Sequence, residues 1–139
     1  MTPDITDLWT ASMILLGFQM AGFSWRLTRE IAIRNQGGIA WLPPAEILNI
    51  IAMLINCLGV FVLPLSLFAN SSMTFVAFGV SVILFAGFPV ALAGHYNLFI
   101  SGNRAKPRDH IQRYFTGQEK VAIIITIAVA ALFVGLRKY

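Results

Sequence analysis

Charge is scarce in this sequence. Asp, Glu, Lys and Arg make up 12% of the 139 residues, about half the ~25% usual in soluble domains. Hydrophobic residues reach 58%, and mean hydropathy is +0.76. A soluble domain of this size would have too few charged side chains to cover its surface. Disorder is excluded as well, because it requires low hydrophobicity. Cysteine is nearly absent. The single Cys57 leaves no intrachain disulfide framework and no Cys-based zinc site. Its place in an apolar run reads as a buried, unreactive thiol. Ten Lys and Arg against six Asp and Glu give a net charge of +4, but no extended basic domain exists, so nucleic acid is not an expected partner.

Long uncharged runs are abundant instead. Between Asp7 and Arg26 lie eighteen residues without a formal charge, about 27 Å of helix, close to the ~30 Å hydrocarbon layer. The acidic residues Asp4 and Asp7 precede this run and Arg26 and Arg29 follow it, the reverse of a cleaved signal peptide. From Ile47 to Asn103, fifty-seven residues contain no Asp, Glu, Lys or Arg. As one helix they would extend about 85 Å, so the run must fold back. Pro64 and Asn70-Ser71-Ser72 mark the turn. Thr116-Gly117-Gln118-Glu119 has the form of a capping box ahead of the last apolar run. Gly37-Gly38 closes the first helix, and Pro43-Pro44 opens the second. The pattern predicts an all-α polytopic membrane protein, one integral domain over 1–139. Four transmembrane helices, at about 7–29, 45–67, 73–100 and 117–136, form an up-down bundle. Pro89 falls inside the third and is expected to kink it.

The basic residues sort by side. Arg26, Arg29 and Arg34 flank the first connection, and Arg104, Lys106, Arg108, Arg113 and Lys120 the third. The N-terminal segment and the second connection have none, and the C-terminus has Arg137 and Lys138. The positive-inside rule places loops 30–44 and 101–116 in the cytoplasm and both termini outside. Anionic lipid headgroups on the cytoplasmic face are the expected electrostatic partners. A compact chain without an organelle address fits a bacterial inner (plasma) membrane.

Polar residues inside the apolar runs are the functional candidates. Gln19 lies near the centre of the first helix. Glu46, Asn49 and Asn56 share one face of the second by their spacing of three and seven. Gln19 and Asn56 are expected at similar depth, within reach of a hydrogen bond; these four residues either join helices or line a polar path. Glu46, two residues after Pro44, suits the positive end of its helix. No Asp or Glu falls mid-helix, which disfavours a proton-coupled antiporter. At the cytoplasmic interface His95, Tyr96, Arg104, Arg108, Asp109 and His110 are grouped. His95 and His110 could in principle bind haem, but one would come from a loop, so no cofactor and no metal site is expected. Asp109-His110 lacks a nearby nucleophile, so catalysis is not expected. Small-xxx-small pairs (Gly17/Ala21, Gly87/Ala91, Ala131/Gly135) permit close helix approach.

No catalytic cluster or substrate motif is present. The expected function is therefore a non-catalytic accessory or assembly subunit of a larger membrane complex, with a membrane-protein partner or a homo-oligomer around it. The alternatives are a small oligomeric transporter or channel lined by polar residues of helices 1 and 2, and a haem- or metal-binding membrane anchor.

Overall fold

The computed structural model describes residues 4–37, 41–65, 71–96, 98–99 and 115–137. Within them the chain is helical, with four helices: α1 (Ile5–Asn35), α2 (Pro44–Leu65), α3 (Ser71–His95) and α4 (Gly117–Leu136). Three are long and apolar enough to cross a membrane: Pro44–Leu65, Ser72–His95 and Gly117–Leu136, with mean hydropathies of 2.3, 2.3 and 2.2. α1 is not among them.

The ends follow from local chemistry. α1 continues six residues past the expected end at 29, to Asn35. Glu30 makes this possible, because it bonds Arg26 one turn back and accepts the Trp41 N–H across the connection. The helix stops where Gly37 adopts φ +82°, a left-handed conformation that a Cβ would oppose, while its N–H closes on the Arg34 carbonyl. α2 starts with Pro44 in its first turn, where the missing N–H is no loss. α3 ends at His95 rather than near 100. The Leu98 N–H reaches back to Ala93, and the Gly94 carbonyl is taken by the Thr116 hydroxyl at 2.7 Å.

α3 runs through Pro89 as one helix. In α2 the register changes ahead of Pro64: Cys57–Val62 is π-helical. Proline 64 has no N–H to give to the carbonyl four residues earlier, that of Val60. The indole N–H of Trp9 on α1 donates to it instead, at 3.1 Å. Gly59 lies within this segment, and a Cβ there would run into the side chain of Ala77 on α3. Cys57, expected to be buried, is exposed. The inner positions of the π segment are Gly59 and Val60, which turns Cys57 outward.

α2, α3 and α4 share an apolar core of Ala45, Leu48, Ala52, Leu84, Phe88, Ala91, Ala122 and Ala130. Its many alanines bring the backbones close. α3 packs on both α2 and α4, whereas α1 packs on α2 and more sparsely on α3, and does not touch α4 among the described residues. The small-residue pairs divide accordingly. Gly87 faces α4, where a Cβ would meet the Thr126 side chain, but around Gly17 and Gly135 a Cβ would meet nothing within 4 Å.

Gly87→Leu should therefore destabilise the bundle by about 1–3 kcal/mol through overpacking. Gly17→Leu should leave the unfolding midpoint within about 0.5 kcal/mol of wild type. Thermal unfolding of the purified chain in detergent distinguishes the two, and equal effects would contradict the α3–α4 packing.

Candidate functional site

The buried face of α1 is polar. Its buried residues are Leu8, Ser12, Gln19 and Arg26, the last three spaced by seven. Against them lies the face of α2 that carries Glu46, Asn49 and Asn56, each 0% exposed. The two helices run antiparallel, and the residues meet in rungs. Asn56 Nδ2 donates to the Ser12 backbone carbonyl at 3.1 Å. Asn49 Nδ2 donates to the Gln19 backbone carbonyl at 3.2 Å. Gln19 Nε2 reaches α3, donating to Ser81 Oγ at 3.3 Å, and Ser81 donates to the Ala52 carbonyl of α2 at 2.8 Å. At the end of the seam Arg26 Nε donates to Glu46 Oε1 at 2.7 Å.

Arg26 is 1% exposed and makes two further bonds. Nη1 donates to the Tyr96 hydroxyl at 3.0 Å and Nη2 to Glu30 Oε1 at 3.4 Å. Arg29 also donates to the Tyr96 hydroxyl, at 3.1 Å, and its guanidinium lies 5.5 Å from the ring centroid. One guanidinium thus ties α1 to α2 and to the residue that follows α3.

A second polar group closes the same end of the bundle. Thr116 caps α4 by accepting the Glu119 N–H at 3.1 Å, the first half of the expected capping box. The second half is absent: the Glu119 carboxylate does not turn back but crosses to its neighbours. Oε1 accepts the Ala45 N–H of α2 at 2.9 Å. Oε2 lies 2.9 Å from His95 Nδ1 of α3. The reason lies in α2, whose N-cap is Pro43 with no side-chain acceptor. Its free N–H groups need an acceptor from elsewhere, and Glu119 supplies it at 0% exposure.

The sequence candidates are thus divided among different partners. Gln19 and Asn56 do not bond each other. The Arg26–Glu46 pair sets the α1–α2 register so that Gln19 stands opposite Asn49 and Ser12 opposite Asn56. Glu46 is an ion-pair partner in the bundle interior and does more than face its own helix end. His95 is 3% exposed and packs edge-on against Tyr96 at 5.2 Å. Arg104, Arg108, Asp109 and His110 lie outside the described residues.

Reading by residue type overlooked Arg26 and Glu119, treating the first as an orienting charge and the second as a cap. Ser12 is not among the sequence candidates, and Ser81 enters there only as part of the helix-3 face it shares with His95 by spacing. The signal for the α1 face is the seven-residue spacing of Ser12, Gln19 and Arg26. An apolar groove of about 420 Å³ lies at the opposite end of the bundle, between Leu63, Met73, Val76, Ala77 and Val134, with Arg137 at its rim; no seam residue lines it. No protein-family model, characterised protein or solved structure matches the chain.

Arg26→Met or Glu46→Met should each destabilise the bundle by about 3–5 kcal/mol, since each strands a buried partner. The double replacement Arg26→Met with Glu46→Met should recover most of that loss. Gln19→Leu should cost about 0.6 kcal/mol, the average for an interhelical hydrogen bond in a membrane. A double-mutant cycle on unfolding free energy measures the coupling, and simple additivity would refute the pairing.

Proposed function

We propose that this chain is a four-span integral membrane protein of a bacterial inner membrane, acting as a non-catalytic accessory or assembly subunit of a larger membrane complex. Three apolar helices support the membrane setting directly. For α1 the support is the direction of its polar residues. Ser12, Gln19 and Arg26 are buried in the bundle, while Met13, Ile14, Phe18 and Met20 are exposed. A helix built this way presents an apolar surface to lipid even though its mean hydropathy is the lowest of the four. With four crossings, the basic loops share one side, and the positive-inside bias makes that side cytoplasmic, next to anionic headgroups.

The observation that carries the subunit reading is the burial of Glu46, Asn49 and Asn56 against α1. These are the most polar intramembrane candidates, and their hydrogen bonds run between helices of the same chain. The outward faces are left apolar. On α4 these include Ile124, Ile125, Ile127 and Leu132, all more than half exposed. Such faces suit lipid and partner helices. A transporter or channel lined by Gln19, Glu46, Asn49 and Asn56 is the second reading. One feature favours it: several oxygens of the seam have no hydrogen-bond partner among the described residues. A haem anchor would need His110 together with His95, whose Nδ1 already faces Glu119.

Purification in mild detergent with mass spectrometry of the intact assembly tests the subunit reading. A different membrane polypeptide at fixed stoichiometry is the expected outcome; a homo-oligomer alone would favour the channel. Orientation has its own check. Neutralising Arg104, Lys106, Arg108, Arg113 and Lys120 together should scramble the side on which a C-terminal reporter appears, and an unchanged side would refute the charge argument.

A further inference from the structure

The apolar groove at the end of the bundle away from the Arg26–Glu46 pair is built from three helices. Leu63 comes from α2, Met73, Val76 and Ala77 from α3, and Val134 from α4. α2 and α3 are in close contact at Ala77, since a Cβ on Gly59 would run into its side chain. From Ala77 out to Ser72 the wall on α3 is about 7.5 Å long, at 1.5 Å per residue. It ends where the three apolar spans end, at Leu65, Ser72 and Leu136.

Two polar residues stand on this lining, Ser72 and Arg137, and no carboxylate does among the described residues. Arg137 is exposed, and its guanidinium lies 5.8 Å from the centroid of the Phe133 ring, one turn back on α4. Phe133 is itself held, because its ring takes the place that a Cβ on Gly79 would need. Asp4 and Asp7 begin α1, which does not touch α4 among the described residues. Orientation does not account for this cation. With four crossings, eight of the ten Lys and Arg lie on the opposite side, so Arg137 works against the positive-inside bias. We propose that the groove binds an acyl chain of an anionic phospholipid, whose phosphate is received by the Arg137 guanidinium and the Ser72 hydroxyl.

Size and charge select this occupant. A helix is 10–12 Å across with its side chains, so a volume of about 420 Å³ holds only about one turn of it. That is too little to seat a partner helix along the bundle, whereas an acyl chain is slender enough to enter. The guanidinium is planar and pairs with phosphate through two parallel N–H groups. A zwitterionic headgroup also carries an ammonium, and the groove offers it no carboxylate. The lining therefore favours a headgroup with net negative charge. The inference rests on the four-span membrane reading and is independent of the subunit role.

The test follows the thermal midpoint of the full chain in detergent micelles as phosphatidylglycerol, or phosphatidylcholine with the same acyl chains, is added. Phosphatidylglycerol should raise the midpoint saturably, with half-saturation at a mole fraction at least tenfold lower than phosphatidylcholine. Arg137→Gln should remove that preference. Loss of a favourable charge at the C-terminal end of α4 alone would lower the midpoint equally in both lipids and leave the preference intact, which would overturn the site. Val76→Phe and Val134→Phe fill the groove, and each should weaken half-saturation for phosphatidylglycerol tenfold or more. Lys120→Gln, at the other end of α4, should leave it unchanged. Equal half-saturation for the two lipids would overturn the proposal, as would an unchanged value in whichever groove-filling variant folds. A midpoint that rises with protein concentration and ignores both lipids would put a second copy in the groove instead. Alkali-resistant incorporation into phosphatidylcholine vesicles checks the membrane reading separately. Incorporation without a lipid preference refutes the site alone, and failure to incorporate refutes both.

Discussion

The pairing of Arg26 with Glu46 determines how α1 sits in this bundle. Both groups are removed from solvent, and a buried charge without its partner is among the largest single penalties available to a protein. A slip of α1 by one turn would strand both. Each amide contact along the seam is much weaker, averaging about 0.6 kcal/mol in membranes. The magnitudes therefore assign the roles: the ion pair sets the register, and the Asn49 and Asn56 bonds follow from it. Tyr96 extends the same constraint to the end of α3, since Arg26 and Arg29 both donate to its hydroxyl.

Two kinds of packing coexist as a result. Between α2, α3 and α4, small residues let backbones approach, and the core is built of alanines with Leu48, Leu84 and Phe88. Between α1 and its neighbours the buried side chains are polar apart from Leu8. In hydrocarbon, apolar side chains gain little by moving from lipid to protein, so helices associate through close contact or through hydrogen bonds. α2, α3 and α4 use the first means, and α1 docks on them through buried polar groups. The lower apolarity of α1 is then a consequence of how it docks.

Much of this was legible in the sequence. The runs free of charge predict helices, and Gly37, Pro44 and Thr116 stand at helix ends for the local reasons expected of them. The shared face of Glu46, Asn49 and Asn56 was readable from spacing alone. What spacing could not supply was the partner of each residue. Pairing across helices depends on register, and a single long-range contact fixes it. Gln19 and Asn56 are not at equal depth, because the Arg26–Glu46 pair places Gln19 opposite Asn49 and Ser12 opposite Asn56. Cys57 was misplaced for a related reason. The π-helical segment ahead of Pro64 rotates the inward face, a change that periodicity at 3.6 residues per turn does not anticipate.

Glu119 shows why local motifs are incomplete evidence in a bundle. Its sequence context specifies a capping box, in which the carboxylate would return to the N-terminus of its own helix. In the fold it has a stronger use. Pro43 and Pro44 start α2 without providing any acceptor for the N–H of Ala45, and that N–H lies beside α4 at 2.9 Å from the carboxylate. Thr116 completes the exchange by capping α4 with its oxygen while giving its proton to the Gly94 carbonyl at the end of α3. Unmet backbone groups of three helix ends are thus satisfied by two side chains from one turn. Together with Arg26, they join all four helices at a single end, through groups whose removal would leave buried donors or charges without partners.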